Sequence, residues 1–299
     1  MSPTPAPPRI FDRALLRRRR DRVARAADPR GDFLFAESGE RLLDRLDDVR
    51  RQFPLALDLG CRDGLLGRLL KGRGGIETLV QGDLSLDLLR KATTGAVLQL
   101  DEEALPFAPE TFDLVLANLS LHWTNDLPGA LAQIRHGLKP DGLFLGVLFG
   151  AGTLQELRSV LMEAEIAETG GASARVAPFA DLRDAAGLMQ RAGFALPVAD
   201  VETVTVTYAG MLPLLADLRA MGETNMLDAR LKRPTRRAVI GRAAALYQEK
   251  FALPDGRIPA SFRLIFLTGW APHDSQQQPA RRGTGKIRLG DALGGPSVV

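Results

Sequence analysis

From Leu55 onward, short apolar runs alternate with longer stretches of helical period. Leu55–Leu59 is apolar at four of its five positions and meets Gly60 at once, the pattern of a parallel strand buried on both faces. Leu65–Leu70 reads as the opening of a helix. The next apolar run, Thr78–Gly82, ends in Asp83, and a helix is predicted over about Leu86–Ala92. Val97–Leu100 is a third strand, closed by Asp101, and Phe112–Ala117 a fourth, closed by Asn118. A helix over Asp126–Gly137, a turn at Lys139-Pro140-Asp141-Gly142 and a fifth strand over Leu143–Phe149 follow. Strands alternating with helices imply right-handed crossovers and a doubly wound, mostly parallel α/β sheet of Rossmann-like type.

The flanks are read the same way. Residues 1–9 are Pro-rich and expected to be disordered. Residues 10–50 form a helical extension: a basic helix over Ile10–Ala27 with a thin apolar face at Leu15, Leu16 and Val23, then a helix over Leu34–Val49. Residues 51–150 are the core domain. Residues 151–272 are expected to complete the sheet, with helices over Thr153–Glu168, Ala180–Ala192, Met211–Met221 and Pro234–Phe251. Strands are expected over Val201–Tyr208, which alternates and is β-branched, and Ser261–Gly269. Residues 273–299, rich in Gln and Gly, read as a flexible tail.

Composition narrows the function classes. The 299 residues are 45% apolar and 25% charged, with net charge +3, ordinary for a globular protein. No aromatic-rich basic patch accompanies the arginines, so nucleic acid is not an expected partner. One cysteine, Cys61, excludes an intramolecular disulfide framework. The three histidines, His122, His136 and His273, show no metal-ligand spacing. No run of about 18 apolar residues occurs, so no membrane span is expected, and peripheral association stays open. The N-terminus lacks an apolar signal core, and Asp12 and Asp21 argue against a presequence. An intracellular protein is expected: cytoplasmic in a bacterium, in the mitochondrial matrix in a eukaryote.

The strand ends carry the candidate chemistry, because ligands of α/β sheets sit beyond the carboxyl ends of the strands. Gly60 permits a tight turn and close backbone approach in the loop Asp58-Leu59-Gly60-Cys61-Arg62-Asp63-Gly64. The following helix points its first amides at an anion. Asp58 can reach an ammonium group. Asp83, 25 residues later, can accept both hydroxyls of a ribose, and Asp101, with Glu102 beside it, can accept from an adenine amino group. Leu84 and Ala104 can flank the ring, and Cys61, Gly64 and Asn118 complete the candidate set. Each acid alone reads equally well as a solvated loop residue; three at three consecutive strand ends point to S-adenosylmethionine (SAM). A nicotinamide fingerprint is the rival, but the glycines run Gly60, Gly64, Gly67 and the central Gly of G-x-G-x-x-G is missing.

At these residues the chain resembles class I SAM-dependent methyltransferases: Leu57-Asp58-Leu59-Gly60-Cys61, Leu105-Pro106-Phe107, Phe112-Asp113-Leu114-Val115 and Leu138-Lys139-Pro140-Asp141-Gly142. Ile10-Phe11-Asp12-Arg13-Ala14-Leu15, Leu119-Ser120-Leu121-His122-Trp123, Asn125-Asp126-Leu127-Pro128, Met221-Gly222-Glu223-Thr224-Asn225 and Gly269-Trp270 extend the resemblance over almost the whole chain. They are similar to the family of complex I assembly factors described as arginine hydroxylases, with the malonyl-carrier-protein methyltransferases of biotin synthesis as more distant relatives. The resemblance implies SAM binding and action on an arginine of a respiratory complex I subunit.

Arg62 departs from the family, whose loop has a second Gly there; with positive φ it would cost about 1 kcal/mol or more, its side chain pointing out or meeting the cofactor carboxylate. Gly152 replaces a family acid. His122 and Trp123 follow strand four: either His122 is a general base and Trp123 a pocket wall, or both belong to a packed loop. Cys61 reads as a packing residue and Arg17–Arg20 as a solvated helix face. Hydroxylation requires an oxygen donor and usually a metal or flavin, for which no motif is present. Three readings stay open: a SAM-dependent enzyme acting on a protein arginine, a SAM-dependent methyltransferase of a small molecule or carrier-bound acyl group, and a non-catalytic assembly module.

Overall fold

Successive residues of Phe112–Asn118 point into two different cores. Leu114 and Leu116 join one apolar cluster, Val115 and Ala117 the other, and all four are at most 1% exposed. In the computed structural model, which describes residues 9–277, this strand is β4 of a seven-stranded sheet. The others are β1 Leu55–Leu59, β2 Thr78–Asp83, β3 Ala96–Gln99, β5 Leu138–Phe149, β6 Ala195–Tyr208 and β7 Ile258–Trp270. Their spatial order is β3-β2-β1-β4-β5-β7-β6. β1 to β5 pair in parallel, while β7 runs antiparallel to both β5 and β6. The order reverses between β1 and β4, which places a ligand crevice at their carboxyl ends.

Nine α-helices are described: α1 Arg13–Ala26, α2 Phe33–Asp47, α3 Leu65–Leu70, α4 Leu86–Leu89, α5 Leu127–Gly137, α6 Gln155–Thr169, α7 Leu182–Arg191, α8 Met211–Met221 and α9 Arg237–Phe251. Side chains of α2, α3, α6, α8 and α9 fill the first cluster, those of α5 and α7 the second, so helices cover both faces of the sheet. Caps explain several boundaries: Asp12, Asp126 and Asp181 accept from Leu15 N, Gly129 N and Asp184 N, satisfying amides that have no partner within the helix. No described helix is long and apolar enough to cross a membrane. The segments expected to be disordered, 1–9 and 273–299, lie almost wholly outside the described residues.

Two expectations need correction. Lys139–Gly142 is not a turn between elements but the irregular start of β5: Asp141 takes φ 62° and the register with β4 shifts between Phe112 and Leu114. The chain leaving β7 holds this irregularity, since Ala271 N donates to Gly142 O at 2.8 Å and Asp141 N to Ala271 O at 3.1 Å. Arg17–Arg20 is a solvated face only in part: Arg17 and Arg18 are exposed, Arg19 is half-buried and Arg20 is buried. The buried side of α1 is Arg13, Leu16, Arg20 and Ala24, one helical stripe at i, i+3, i+7 and i+11.

The chain before α1 is fastened to two loops. Ile10 N and Phe11 N both donate to Asn125 Oδ1, at 2.8 and 2.7 Å, while Asp12 N donates to Met226 O at 2.9 Å. Phe11, Leu16, Trp123, Ala177, Met226 and Leu227 form a third apolar cluster beneath it. These anchors lay α1 across the carboxyl ends of β2 and β3.

The turn out of β1 is sterically the tightest place in this region. Gly60 has φ 73°, its amide and that of Cys61 both donate to Gly82 O at 2.7 and 3.0 Å, and a Cβ on Gly60 would overlap Ser120 Cβ. Gly60→Ala is expected to destabilise the protein by about 2–4 kcal/mol, from left-handed backbone strain plus overpacking, read as a lowered urea midpoint. Gly72, also at positive φ but with nothing within 4 Å of a Cβ, should show only the backbone part of that loss when changed to Ala.

Candidate functional site

The acids at the strand ends are held by arginines of α1. Asp83, fully buried at the end of β2, accepts Ser85 N on Oδ1 at 2.7 Å, and Arg62 N and Arg20 Nη1 on Oδ2 at 3.0 and 3.1 Å. Glu102, equally buried, accepts Arg20 Nη1 on Oε1 at 3.0 Å and Arg13 Nη2 on Oε2. Arg13 Nη2 also reaches Asp101 Oδ1 at 2.5 Å. Burial pushes the Glu102 carboxyl up, but Arg20 and Arg13 outweigh it and hold it at about 2. Arg20 itself is 1% exposed, and its Nε and Nη2, like Nε of Arg13, have no hydrogen-bond partner among the described residues. Leu84, between these acids, packs half-buried against the cluster of Phe11, Leu16 and Trp123.

The loop after β1 has three alternate residues at positive φ: Gly60 at 73°, Arg62 at 56° and Gly64 at 79°. Arg62 therefore carries the strain expected of a non-glycine there, about 1–2 kcal/mol. Its side chain neither points out nor leaves the protein interior. It is 6% exposed and lays its guanidinium 3.8 Å from the centre of the Phe35 ring of α2, a cation–π contact that offsets part of the strain. Burial pulls its pKa down, with Glu223 opposing. Cys61 is buried and its thiol pushed up by burial and by Asp58 and Asp83, which suits packing rather than nucleophilic chemistry. Asn118 is tied to α2: it donates to Phe35 O at 2.8 Å and accepts from Ser38 Oγ at 2.7 Å.

Asp58 is different. It is 1% exposed, its Oδ2 accepts only Gln81 Nε2 at 3.4 Å, and its Oδ1 has no partner. Burial, with Asp83 and Asp63 adding to it, raises its pKa to about 7. It is a buried carboxyl whose charge has no strong donor to compensate it.

A second group faces a cavity. His122 and Trp123 lie in a short 3₁₀ turn after β4, and both address one carboxylate, Glu223. His122 Nε2 stands 3.2 Å and Trp123 Nε1 2.7 Å from Glu223 Oε2. Burial lowers the His122 pKa, with Glu223 opposing, and the Glu223 pKa is also low, since His122 and Arg62 outweigh its own burial. Glu223 is thus ionised, His122 is neutral with its proton on Nε2, and His122 Nδ1 is left buried without a partner. Rings of Phe149, Trp123 and Phe179 surround the imidazole at centroid distances of 4.6, 5.1 and 5.5 Å. A cavity of about 530 Å³ opens beside it, walled by Trp123, Phe149 and Phe179, with Glu223 in its lining. Glu223 escaped the sequence reading. It follows the left-handed Gly222 that ends α8, outside any periodic pattern, and only its place in the Met221–Asn225 match could have marked it.

The comparisons with known proteins bear on this geometry. A methyltransferase-domain family matches residues 57–146. The arginine-hydroxylase NDUFAF5 of Homo sapiens, a mitochondrial protein, is 42% identical over 299 residues, covering 97% of this chain and 85% of its own. That of Danio rerio is 42% identical over 290 residues, 94% of this chain and 89% of its own. The chain belongs to the arginine-hydroxylase NDUFAF5 family. The malonyl-[acyl-carrier protein] O-methyltransferase of Halorhodospira halophila is more distant, 33% identical over 292 residues, 95% of this chain and 96% of its own. The YcgJ protein of Bacillus subtilis shares the fold at a TM-score of 0.55 and 14% identity, covering 79% of this chain and 99% of its own. A putative methyltransferase of Bacillus halodurans does so at 0.52 and 18%, covering 77% and 97%. The NDUFAF5-type chain is therefore an enzyme built on the class I methyltransferase fold. Among the described residues no group of His, Cys, Asp and Glu is placed to hold a metal ion.

The two extreme carboxyls in this NDUFAF5-type site act oppositely on stability. Glu102, depressed to about 2, contributes stability that is complete above its unfolded pKa near 4.5 and is lost as pH falls toward 2. Asp58, raised from 3.8 to about 7, keeps a proton that the unfolded chain releases, so it costs progressively more from pH 4 to pH 7. That cost reaches about 4 kcal/mol at full ionisation. Asp58→Asn is therefore expected to be more stable than the parent at pH 8, and the advantage should vanish toward pH 4. Urea unfolding at both pH values checks this; an Asn variant no more stable at pH 8 would show that Asp58 is already compensated.

Proposed function

We propose that this chain binds SAM over the carboxyl ends of β1, β2 and β3 and acts on an arginine of a protein partner, a subunit of respiratory complex I. The unpartnered Oδ1 of buried Asp58 carries the cofactor reading. A carboxyl sealed from water and lacking a donor is stabilised by any cation that reaches it, and the methionyl ammonium of SAM brings three N–H groups to a position beneath the Gly60–Gly64 loop. The free Nε and Nη2 of Arg20 suit the methionyl carboxylate. The nucleoside side is already occupied by protein: Asp83 accepts three N–H groups, so a ribose shares Asp83 with Arg20 or displaces it. Asp101, the least enclosed of the three acids, is the candidate partner of the adenine, with Leu84 along the ring.

When bound, SAM presents a sulfonium-activated methyl group. Around it this chain's own residues exclude water and position one carboxylate. His122 stands behind the cavity wall, enclosed by Phe149, Trp123 and Phe179, and with Trp123 it holds Glu223, which does line the cavity, so its role is to position that carboxylate rather than to meet a substrate. That the substrate is an arginine is supported by the names of relatives 42% identical over nearly the whole chain. The proposed setting is the bacterial cytoplasm, or the mitochondrial matrix in a eukaryote.

Calorimetric titration of the purified protein with SAM tests the cofactor. Saturable binding is expected, and because Asp58 must lose its proton to receive an ammonium, affinity should rise about tenfold per pH unit below pH 7 and level off above it. Asp58→Asn should remain folded and lose binding. No heat at millimolar SAM, or binding unaffected by Asp58→Asn, overturns the assignment. For the substrate, deleting the gene should leave the target arginine of the complex I subunit unmodified by mass spectrometry; a modified arginine in the deletion strain defeats that part.

A further inference from the structure

The cavity beside Glu223 has a charge pattern that nothing in the methyl-transfer fold requires. Its deep lining is apolar and aromatic and contains one carboxylate, Glu223, whereas its mouth is ringed by cations. Two of these, Arg175 and Arg230, are paired with Glu165 and Asp12. Arg19, Arg219, Lys232 and Arg233 have no salt-bridge partner among the described residues. Arg19 bonds only Thr224 Oγ1 and Met226 Sδ, and burial together with Arg230, Arg22 and Arg219 drags its pKa to about 10. Four cations without counter-charges around one opening form a field that attracts anions and repels a lone guanidinium.

Glu223 asks for the opposite charge. Both of its bonds, from His122 and Trp123, fall on Oε2, and Oε1 accepts none among the described residues while the residue lines the cavity. The flat walls of Trp123, Phe149 and Phe179 suit a planar cation. A site with an anion at its floor and cations at its rim fits a cation embedded in negative charge. We infer that the cavity recognises an arginine carried in an acidic peptide segment, its guanidinium on Glu223 Oε1 and its acidic neighbours on Arg219, Lys232 and Arg233. The inference rests on the arginine-substrate reading and adds the sequence context and the residues that read it. It needs no catalysis and no bound SAM.

Synthetic nine-residue peptides titrated calorimetrically into the full chain test it. One carries a single arginine between two aspartates on each side, a second has asparagine flanks, and a third has the acidic flanks with glutamine in place of the arginine. The acidic arginine peptide is expected to bind at least tenfold more tightly than either control and to weaken steeply with salt. Glu223→Gln, which keeps the size and the contacts to Trp123, should erase the preference for arginine over glutamine and keep the preference for acidic flanks. The double variant Lys232→Glu, Arg233→Glu should do the reverse. Equal binding of acidic and neutral arginine peptides overturns the inference and leaves the arginine reading standing. Equal binding of the arginine and glutamine peptides defeats the arginine reading itself and makes the cavity an anion site. No binding of any peptide overturns the inference.

Discussion

The guanidinium of Arg20, sealed between Asp83 and Glu102, is the contact on which this architecture turns. Three charged groups with almost no exposure would each cost several kcal/mol to desolvate alone, and the cost is tolerable only because each supplies the others' missing hydrogen bonds. Breaking such a set by removing one member costs about 3–5 kcal/mol, since the remaining charges stay buried. The set is therefore specific in a way apolar packing is not. α1 has one seating on the sheet in which Arg13 and Arg20 meet acids and Leu16 meets Phe11 and Trp123.

That seating also decides what the strand ends can offer a ligand. Asp83 and Glu102 are compensated by α1, and Asn118 is spent on α2. Asp58 alone lacks a counter-charge. Acids that look equivalent in sequence thus divide by environment: Asp83 and Glu102 are met by guanidinium groups, whereas burial raises the Asp58 carboxyl to about 7 and leaves one of its oxygens unpartnered. Arg62 belongs with the structural set. Its backbone amide fixes Asp83 and its guanidinium lies on Phe35, so the departure from glycine strains the loop without placing a charge against the Asp58 carboxyl.

The sheet was legible because buried parallel strands announce themselves: Leu55–Leu59 and Phe112–Asn118 stand within a residue of where their patterns placed them. The fold and the acids at the strand ends followed from the same reading. What escaped did so for physical reasons. Pro140-Asp141-Gly142 carries turn chemistry, but Ala271, just past β7, holds the local kink within a continuing strand, a tertiary effect invisible in a four-residue window. The run Arg17–Arg20 reads as solvated because four consecutive arginines cover every face of a helix. Only the spacing Arg13, Leu16, Arg20, Ala24 separates the buried pair from the exposed ones, and it becomes meaningful once acids are known to wait at the strand ends. Glu223 lies 100 residues from Trp123 in the chain, and no local pattern can pair residues that only the fold brings together.

The two halves of the site share a wall, and this links their electrostatics. Glu223 lies within the fields of Arg62 and Arg20 as well as beside His122. Its ionisation is therefore supported from the cofactor side, while its free oxygen faces the cavity. Were Glu223 neutral, Nε2 of His122 would lose its acceptor and the imidazole its fixed tautomer, leaving Nδ1 no longer assigned as the basic nitrogen. The cations of α1 and of the loop thus do more than fasten a helix. By keeping Glu223 charged they preserve the acceptor that fixes His122 behind the cavity wall, so that the buried arginines beneath α1 also set the charge presented in the cavity lining.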